Sequence, residues 1–461
     1  GVSFWVAGGL RAQESKSPNE QIAMASVGID GKGASDSKDA ARAGNMVAIC
    51  DVDEQKLEAA GRAFPGAKPY SDFRKMFEEM GDKIDAVTVS TPDHMHGAVA
   101  LMAMRMGKHC FCQKPLTRTI YEARLMAKVA AETGVATQMG NQGTANDSLR
   151  HAAAALRKGV VGNAKEVHVW TNRPIWPQGI ERAAPLEVPS FLHWDLWLGV
   201  APERPYADGY HPFKWRGWWD FGSGALGDMA CHTVNMPYMG LDLKNPTSVQ
   251  ATTSGHNRDS YPAWSKIAFE FPAVDWRPAV KFFWYDGGQR PPAELYDEMV
   301  STYEKAGVLG GGEEEAPKGD KADKKKQKKK KAQDPRSMFR SGCIVVGEKG
   351  NLYSPGDYAE KKILLTGGQD LPEVEYERSP GHFEEWVMAI KGGPQARSNM
   401  PNYSGGLTET ILLGNLAVFA ANEPETEGPK VEWDAVNLVP TNMPELMAVV
   451  KPTYRDGYVL E

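Results

Sequence analysis

Cysteine is scarce in this chain: Cys50, Cys110, Cys112, Cys231 and Cys343 are the only five among 461 residues. Their odd number and scattered spacing argue against a disulfide framework. Cys110 and Cys112 form a C-x-C pair that a strand would turn to one face. No partners stand at zinc-finger spacing, so no metal site is read and the five are expected to be small core residues. Positive charge is not in excess: the formal net charge is −6, which gives no reason to expect a nucleic acid or an anionic membrane as partner. Internal repeats are missing, and no stretch is apolar for long enough to span a bilayer.

What is present is an ordinary globular composition, 41% hydrophobic and 24% charged, over a length that accommodates more than one domain. Tryptophan crowds into 170–219, with Trp176, Trp194, Trp197, Trp215, Trp218 and Trp219 among them. Such density suits a sugar-like ligand, although core packing is the commoner cause. The opening "GVSFWVAGGLRAQES" is an apolar run that ends like the tail of a signal peptide; an ordinary disordered N-terminus reads equally well.

From residue 21 short apolar runs alternate with helical patterns. Strands are expected in 21–29, 45–53, 84–92, 108–115 and 135–142, with helices between them, the last of these, "TIYEARLMAKVAAETG", amphipathic. This rhythm predicts a doubly wound parallel sheet whose strand C-termini share one ligand-binding edge. After about residue 150 longer strands follow without intervening helices, "SGCIVVGEKGNLY" among them, which predicts a large, mainly antiparallel sheet. The expected organisation is an N-terminal stretch 1–20, a Rossmann domain 21–145, an α/β domain 146–430 and a tail 431–461. Inside the second domain, 313–335 is acidic, then lysine-rich, and reads as a solvated disordered loop.

Three motifs carry chemistry. "VGIDGKGAS" (27–35) follows a strand and opens a helix, the context of a G-x-G-x-x-G phosphate loop, but Asp30 stands where the middle glycine belongs. Gly28, Ile29, Gly31, Lys32 and Gly33 are the candidate phosphate-facing residues, with Gly31 offering close approach one residue late and Lys32 neutralising an anion. Asp51 ends the second strand, where an acid bonds the adenosine ribose and repels a 2′-phosphate; NAD is thus favoured over NADP. "KHCFCQKPL" places Lys114 at the crevice edge before Pro115, and "WWDFGSGALGDMACHTVN" sets Asp228 and His232 four apart on one helix face. An acid there could orient the imidazole and tune it for proton transfer, though such a pair is also a common surface feature.

Taken in order, "GIDGKG", "CDVD", "STPDHMHGAVALMAMRMGKHCFCQKPL", "MGNQ" and "GSGALGDMACH" resemble the glucose-fructose oxidoreductase / inositol dehydrogenase (Gfo/Idh/MocA) family over about 21–423. The resemblance implies a nicotinamide-dependent sugar or polyol oxidoreductase. Its E-K-P lysine maps onto Lys114 and its D-x-x-x-H pair onto Asp228 and His232. Thr91, Pro92, His96, Gln113 and Gln142 would flank the cofactor. Gln113 stands in place of the family glutamate, and Asn235 where an aspartate is frequent. The apolar start is similar to exported, twin-arginine-type members, which implies a periplasmic protein; a cytoplasmic one is the alternative. The expected partners are a small sugar or glycoside and further copies of the chain, as a dimer or tetramer. The leading activity is hydride exchange between a carbinol carbon and tightly bound NAD. The alternatives are NAD-assisted glycoside cleavage without net redox, and a non-catalytic binding protein on the same scaffold.

Overall fold

The computed structural model describes residues 21–308, 335–458 and Leu460. The N-terminal stretch 1–20 and the charged segment 313–335, Pro335 apart, lie outside the described residues. The first layer is a six-stranded parallel sheet of β1 (Ala23–Val27), β2 (Asn45–Cys50), β3 (Lys68–Tyr70), β4 (Ala86–Val89), β5 (His109–Cys112) and β6 (Thr137–Met139), in spatial order β3-β2-β1-β4-β5-β6. Helices α1 (Lys32–Ala43), α2 (Glu54–Ala63), α3 (Phe73–Met80), α4 (Asp93–Arg105) and α5 (Ile120–Thr133) connect the strands. All of β4 is buried, as expected where helices cover both faces of a parallel sheet. α5 begins on a capping box between Thr119 and Glu122 and stops at Gly134 in the left-handed region. β3 was not legible in the sequence because Pro69 interrupts it. It lies at the sheet edge, where a missing N–H is tolerated.

The order reverses at β1, which pairs with both β2 and β4. A crevice opens there at the strand C-termini.

The second domain starts with α6 (Asp147–Arg157) and β7 (Ala164–Trp170), followed by α7 (Trp194–Leu198), α8 (Gly224–Thr233) and α9 (Asn235–Leu241). Next come β8 (Ser248–Thr253), β9 (Ser265–Phe271), β10 (Val280–Tyr285), α10 (Ala293–Lys305), β11 (Gly342–Gly347), β12 (Gly350–Pro355), β13 (Leu364–Leu365) and β14 (Gln369–Asp370). α11 (His382–Ile390), α12 (Gly405–Ala420), β15 (Val431–Asp434) and β16 (Val439–Pro440) complete it. The ten strands form one sheet, β14-β13-β12-β11-β7-β10-β9-β8-β15-β16, antiparallel except for the parallel pair β7–β10.

Three expectations need correction. The strands do not follow one another without helices: α10 packs Met299 and Tyr303 against Trp170 and Tyr353 on one face, while α12 lies over β8 and β9. "SGCIVVGEKGNLY" is two strands, because the chain turns at Glu348–Lys349 and pairs Gly347 with Gly350. Residues 431–461 are more than a tail. β15 pairs with β8, and Leu460 O accepts from Arg105 Nη2 of the first domain at 2.7 Å. Sequence separation also misleads for α11, which docks on the parallel sheet: buried Trp386 packs on Phe111 and donates to Ala136 O at 3.0 Å. The five cysteines are buried and unpaired.

Candidate functional site

The glycine loop is built by close approach. A Cβ on Gly28, whose φ is +79°, would lie 2.6 Å from the Ser90 carbonyl, and one on Gly33 would lie 2.1 Å from Gly28 O. These two glycines let β1, β4 and α1 come together, while Gly31 (φ +56°) faces open space. Asp30 does not intrude: its partly exposed carboxylate meets Lys56 Nζ at 3.0 Å, and that bond holds it below the usual carboxylate range. Lys32 neutralises a different acid than expected, pairing with buried Asp36 one helical turn on. No side chain caps α1, and Gly31 and Lys32 at its start line the crevice.

Asp51 lines the same cavity. Its Oδ2 accepts the Ile29 N–H at 3.1 Å and its Oδ1 the Asp53 N–H at 3.0 Å, while burial raises its pKa. Gln113 is turned to a partner the sequence did not reveal: its Nε2 donates to Asp36 Oδ2 at 2.8 Å, an oxygen that also accepts from Ser90 Oγ at 2.8 Å. A glutamate at 113 would face a buried carboxylate, which gives a physical reason for the amide. Thr91, Pro92 and Gln142 line the cavity, and Thr91 Oγ1 is buried without a partner. His96 lines the cavity too. Its ring nitrogens lie 2.8 Å from Pro115 O and 2.8 Å from Thr91 O, and burial pushes its pKa down to about 4. It ties the loop after β4 to the loop after β5 and so shapes the cavity wall.

At the far end three segments converge. Lys114 Nζ, from the loop after β5, donates to Asp228 O at 2.7 Å and to Asp228 Oδ1 at 3.0 Å, both on α8. Burial opposes its charge, but Asp228 holds its pKa above the ordinary lysine value. Asp228 does not orient His232, because its carboxylate lies between Lys114 and Arg216, the latter Nε at 3.3 Å. Burial raises the Asp228 pKa less than these two cations lower it. His232 is 3% exposed, with Nδ1 lacking a partner and its ring against the Tyr358 ring at 4.7 Å, centroid to centroid. Burial, then Lys114, drives its pKa well below the ordinary histidine value, so the ring is neutral. Asn235 lies behind the site, donating to Thr144 Oγ1 at 2.7 Å and accepting from Tyr403.

Asp93 at the start of α4 is fully buried, donates nothing when ionised and accepts from Ser223 Oγ at 2.6 Å; burial pushes its pKa up to about 7. Asp36, Asp93, Arg173, Arg216 and Tyr358 are the site residues the sequence reading missed. Only Asp36 left a signal, as the i+4 partner of Lys32.

The segment before α8 closes the cleft. His193 N donates to Val52 O at 3.0 Å, Glu54 N to Phe191 O at 2.9 Å, and His211 Nε2 lies 3.0 Å from Asp53 Oδ2. The cavity beneath, about 440 Å³, runs from Asp51, Phe73 and Tyr458 past the glycine loop to Lys114 and His232. Of the seven tryptophans in 170–219, Trp176, Trp197 and Trp215 reach it, and most of the cluster packs as core.

The donors suit an adenine dinucleotide: two glycines a side chain could not replace, an uncapped helix start, an acid at the strand end and an unpartnered Thr91 hydroxyl. Fold and site together define a Rossmann-type dinucleotide-binding protein with a second α/β domain over its crevice. Residues 24–141 match the model of the oxidoreductase family, NAD-binding Rossmann fold (GFO_IDH_MocA), and 158–274 that of its C-terminal alpha/beta domain. The chain belongs to the Gfo/Idh/MocA oxidoreductase family.

Among curated relatives, D-apiose dehydrogenase of Paraburkholderia graminis is 30% identical over 117 residues, 25% of this chain and 31% of that protein. Levoglucosan dehydrogenase of Pseudarthrobacter phenanthrenivorans is 28% identical over 189 residues, 41% of this chain and 40% of that protein. The matches thus span well under half of these relatives' length. Among solved structures, the WlbA dehydrogenase of Bordetella pertussis, in complex with NADH and UDP-GlcNAcA, superposes with a TM-score of 0.55 at 17% identity. That likeness covers 89% of this chain and 99% of the other. An inositol dehydrogenase homolog of Azotobacter vinelandii, complexed with NAD+, gives a TM-score of 0.56 at 15% identity, covering 92% and 100%. At such identity the likeness concerns the fold.

Proposed function

We propose that this chain is an NAD-dependent oxidoreductase acting on a carbinol carbon of a sugar, polyol or glycoside. The observation that carries the reading is the meeting of a charged Lys114 and a neutral, unpartnered His232 at the end of a cavity that begins at the glycine loop. NAD, when bound, would supply the carbon that takes the hydride from the substrate and gives it back in reverse. His232 accepts the hydroxyl proton, because burial keeps its ring neutral. An ammonium has three donors, and Asp228 takes two from Lys114; the third is left for the substrate oxygen, where it stabilises alkoxide charge as it develops. Asp228 holds the ammonium in place and keeps it charged. The Asp51 carboxylate opposes a 2′-phosphate and so favours NAD over NADP.

A second reading, glycoside cleavage through transient oxidation with no net redox, is favoured by the laced segment over the cleft, which would retain a cofactor between turnovers. Purified protein is denatured and the supernatant assayed for NAD; turnover is then followed with and without added cofactor on a panel of sugars, polyols and glycosides. Lys114→Met and His232→Ala should each lower kcat by about 10²–10⁴-fold with NAD retained. Wild-type turnover in both variants would refute the assignment. Export rests on residues 1–15 alone and is tested by fractionating cells that make the natural protein. Assembly into a dimer or tetramer, suggested by the open ten-stranded sheet, is tested by light scattering.

A further inference from the structure

The reacting end of the cleft holds more positive charge than its own acids balance. Lys114 and Arg216 share one carboxylate, that of Asp228, at 3.0 and 3.3 Å. Arg173, just beyond β7, lines the same cavity with no ion-pair partner among the described residues. Among the described residues its guanidinium bonds the neighbouring Asn172 side chain alone. Its backbone is fixed, since Gly287 N donates to Arg173 O at 2.8 Å. Trp176, three residues on, has its ring centroid 5.8 Å from the guanidinium of Arg216, the partner of Asp228, which sets this segment at the Asp228 end of the cavity rather than at the glycine loop. Asp93, the other acid in this wall, accepts from Ser223 Oγ at 2.6 Å and faces Arg216 and Lys114, which still leaves three cations against two acids. Arg216 lies over aromatic rings, its guanidinium carbon 4.2 Å from the Trp215 centroid and 4.6 Å from that of Phe213. Phe213 and Ile175 extend this apolar rim outward, 42% and 64% exposed.

Arg173 is half-buried at the cavity wall with no acid paired to it, and a planar guanidinium fork there is complementary to a carboxylate or phosphate. A polyol with hydroxyls alone leaves Arg173 unmatched. We infer that the substrate is a sugar or glycoside bearing an anionic substituent, a carboxylate or a phosphate, which Arg173 and Arg216 receive beside the carbon facing Lys114 and His232. The inference rests on the oxidoreductase reading of this cleft, and its test is separable from that reading.

Holoprotein saturated with NAD is titrated calorimetrically with D-glucose, D-glucuronate and D-glucose 6-phosphate, at two salt concentrations. Glucuronate or glucose 6-phosphate should bind at least about tenfold tighter than glucose, with the advantage shrinking as salt rises. The tighter of the two identifies the anion. Arg173→Met should erase the advantage while NAD affinity stays within about twofold, and Arg173→Lys should keep part of it. Equal binding of all three sugars, or an advantage unchanged in both variants, would overturn the inference. NADH formation at 340 nm is read separately: anion-selective binding without it would sink the oxidoreductase reading and leave the anion site standing.

Discussion

The amide at position 113 offers a sharp test of how this cleft distributes charge. Gln113 Nε2 donates to Asp36 Oδ2 at 2.8 Å, and both residues are buried, 5% and 1% exposed. Gln113→Glu removes that donor and sets a second carboxylate at the same distance. Two full charges even 4 Å apart repel by about 4 kcal/mol at an effective dielectric of 20, so the introduced carboxyl protonates instead. Holding a proton at pH 7 on a group whose unfolded pKa is about 4.3 costs at most about 1.4 kcal/mol per unit, or about 4 kcal/mol. Lys32, already paired with Asp36, offsets part of this. The variant should therefore be about 2–4 kcal/mol less stable than wild type at pH 7 and within about 1 kcal/mol at pH 5. The sign follows from the raised folded-state pKa: the folded chain keeps a proton that the unfolded chain releases, so stability falls as pH rises. Urea denaturation at both pH values reads the difference. Adding Asp36→Asn restores an amide–carboxylate pair with the roles exchanged and should recover most of the loss. A deficit independent of pH, or a double variant no better than Gln113→Glu alone, would refute the reasoning.

The other perturbations are simpler. Asp93 has its pKa raised to about 7, so its contribution to stability is full below about pH 3.8 and fades as pH climbs to about 7, a change on the order of 4 kcal/mol. Asp93→Asn should flatten that part of the stability–pH profile, and parallel profiles for variant and wild type would count against the assignment. Gly33→Ala drives a Cβ to 2.1 Å from Gly28 O and should cost about 2 kcal/mol or more along with NAD retention, read by thermal unfolding and release of NAD on denaturation. Asp30→Gly breaks only a partly exposed pair with Lys56; stability should stay within about 1 kcal/mol and NAD affinity nearly unchanged, whereas lost cofactor would place Asp30 on the phosphates.

The amino-acid order by itself determined the parallel sheet, its glycine loop, the strand-end acid and the chemical identities of Lys114 and His232. Each rests on local patterning: apolar runs of strand length, capped helices between them, and glycines where a turn meets a helix. β3 escaped because a proline masks it, and the β11–β12 turn because two residues leave little mark. Tertiary structure alone decided the partners. Asp228 lies between Lys114 and Arg216 and not on His232; Gln113 faces Asp36, 77 residues earlier; and Arg173 reaches the cleft from the second sheet. Those pairings depend on which loops the two sheets bring to one rim, and side-chain electrostatics acts across space with no periodicity along the chain to record it.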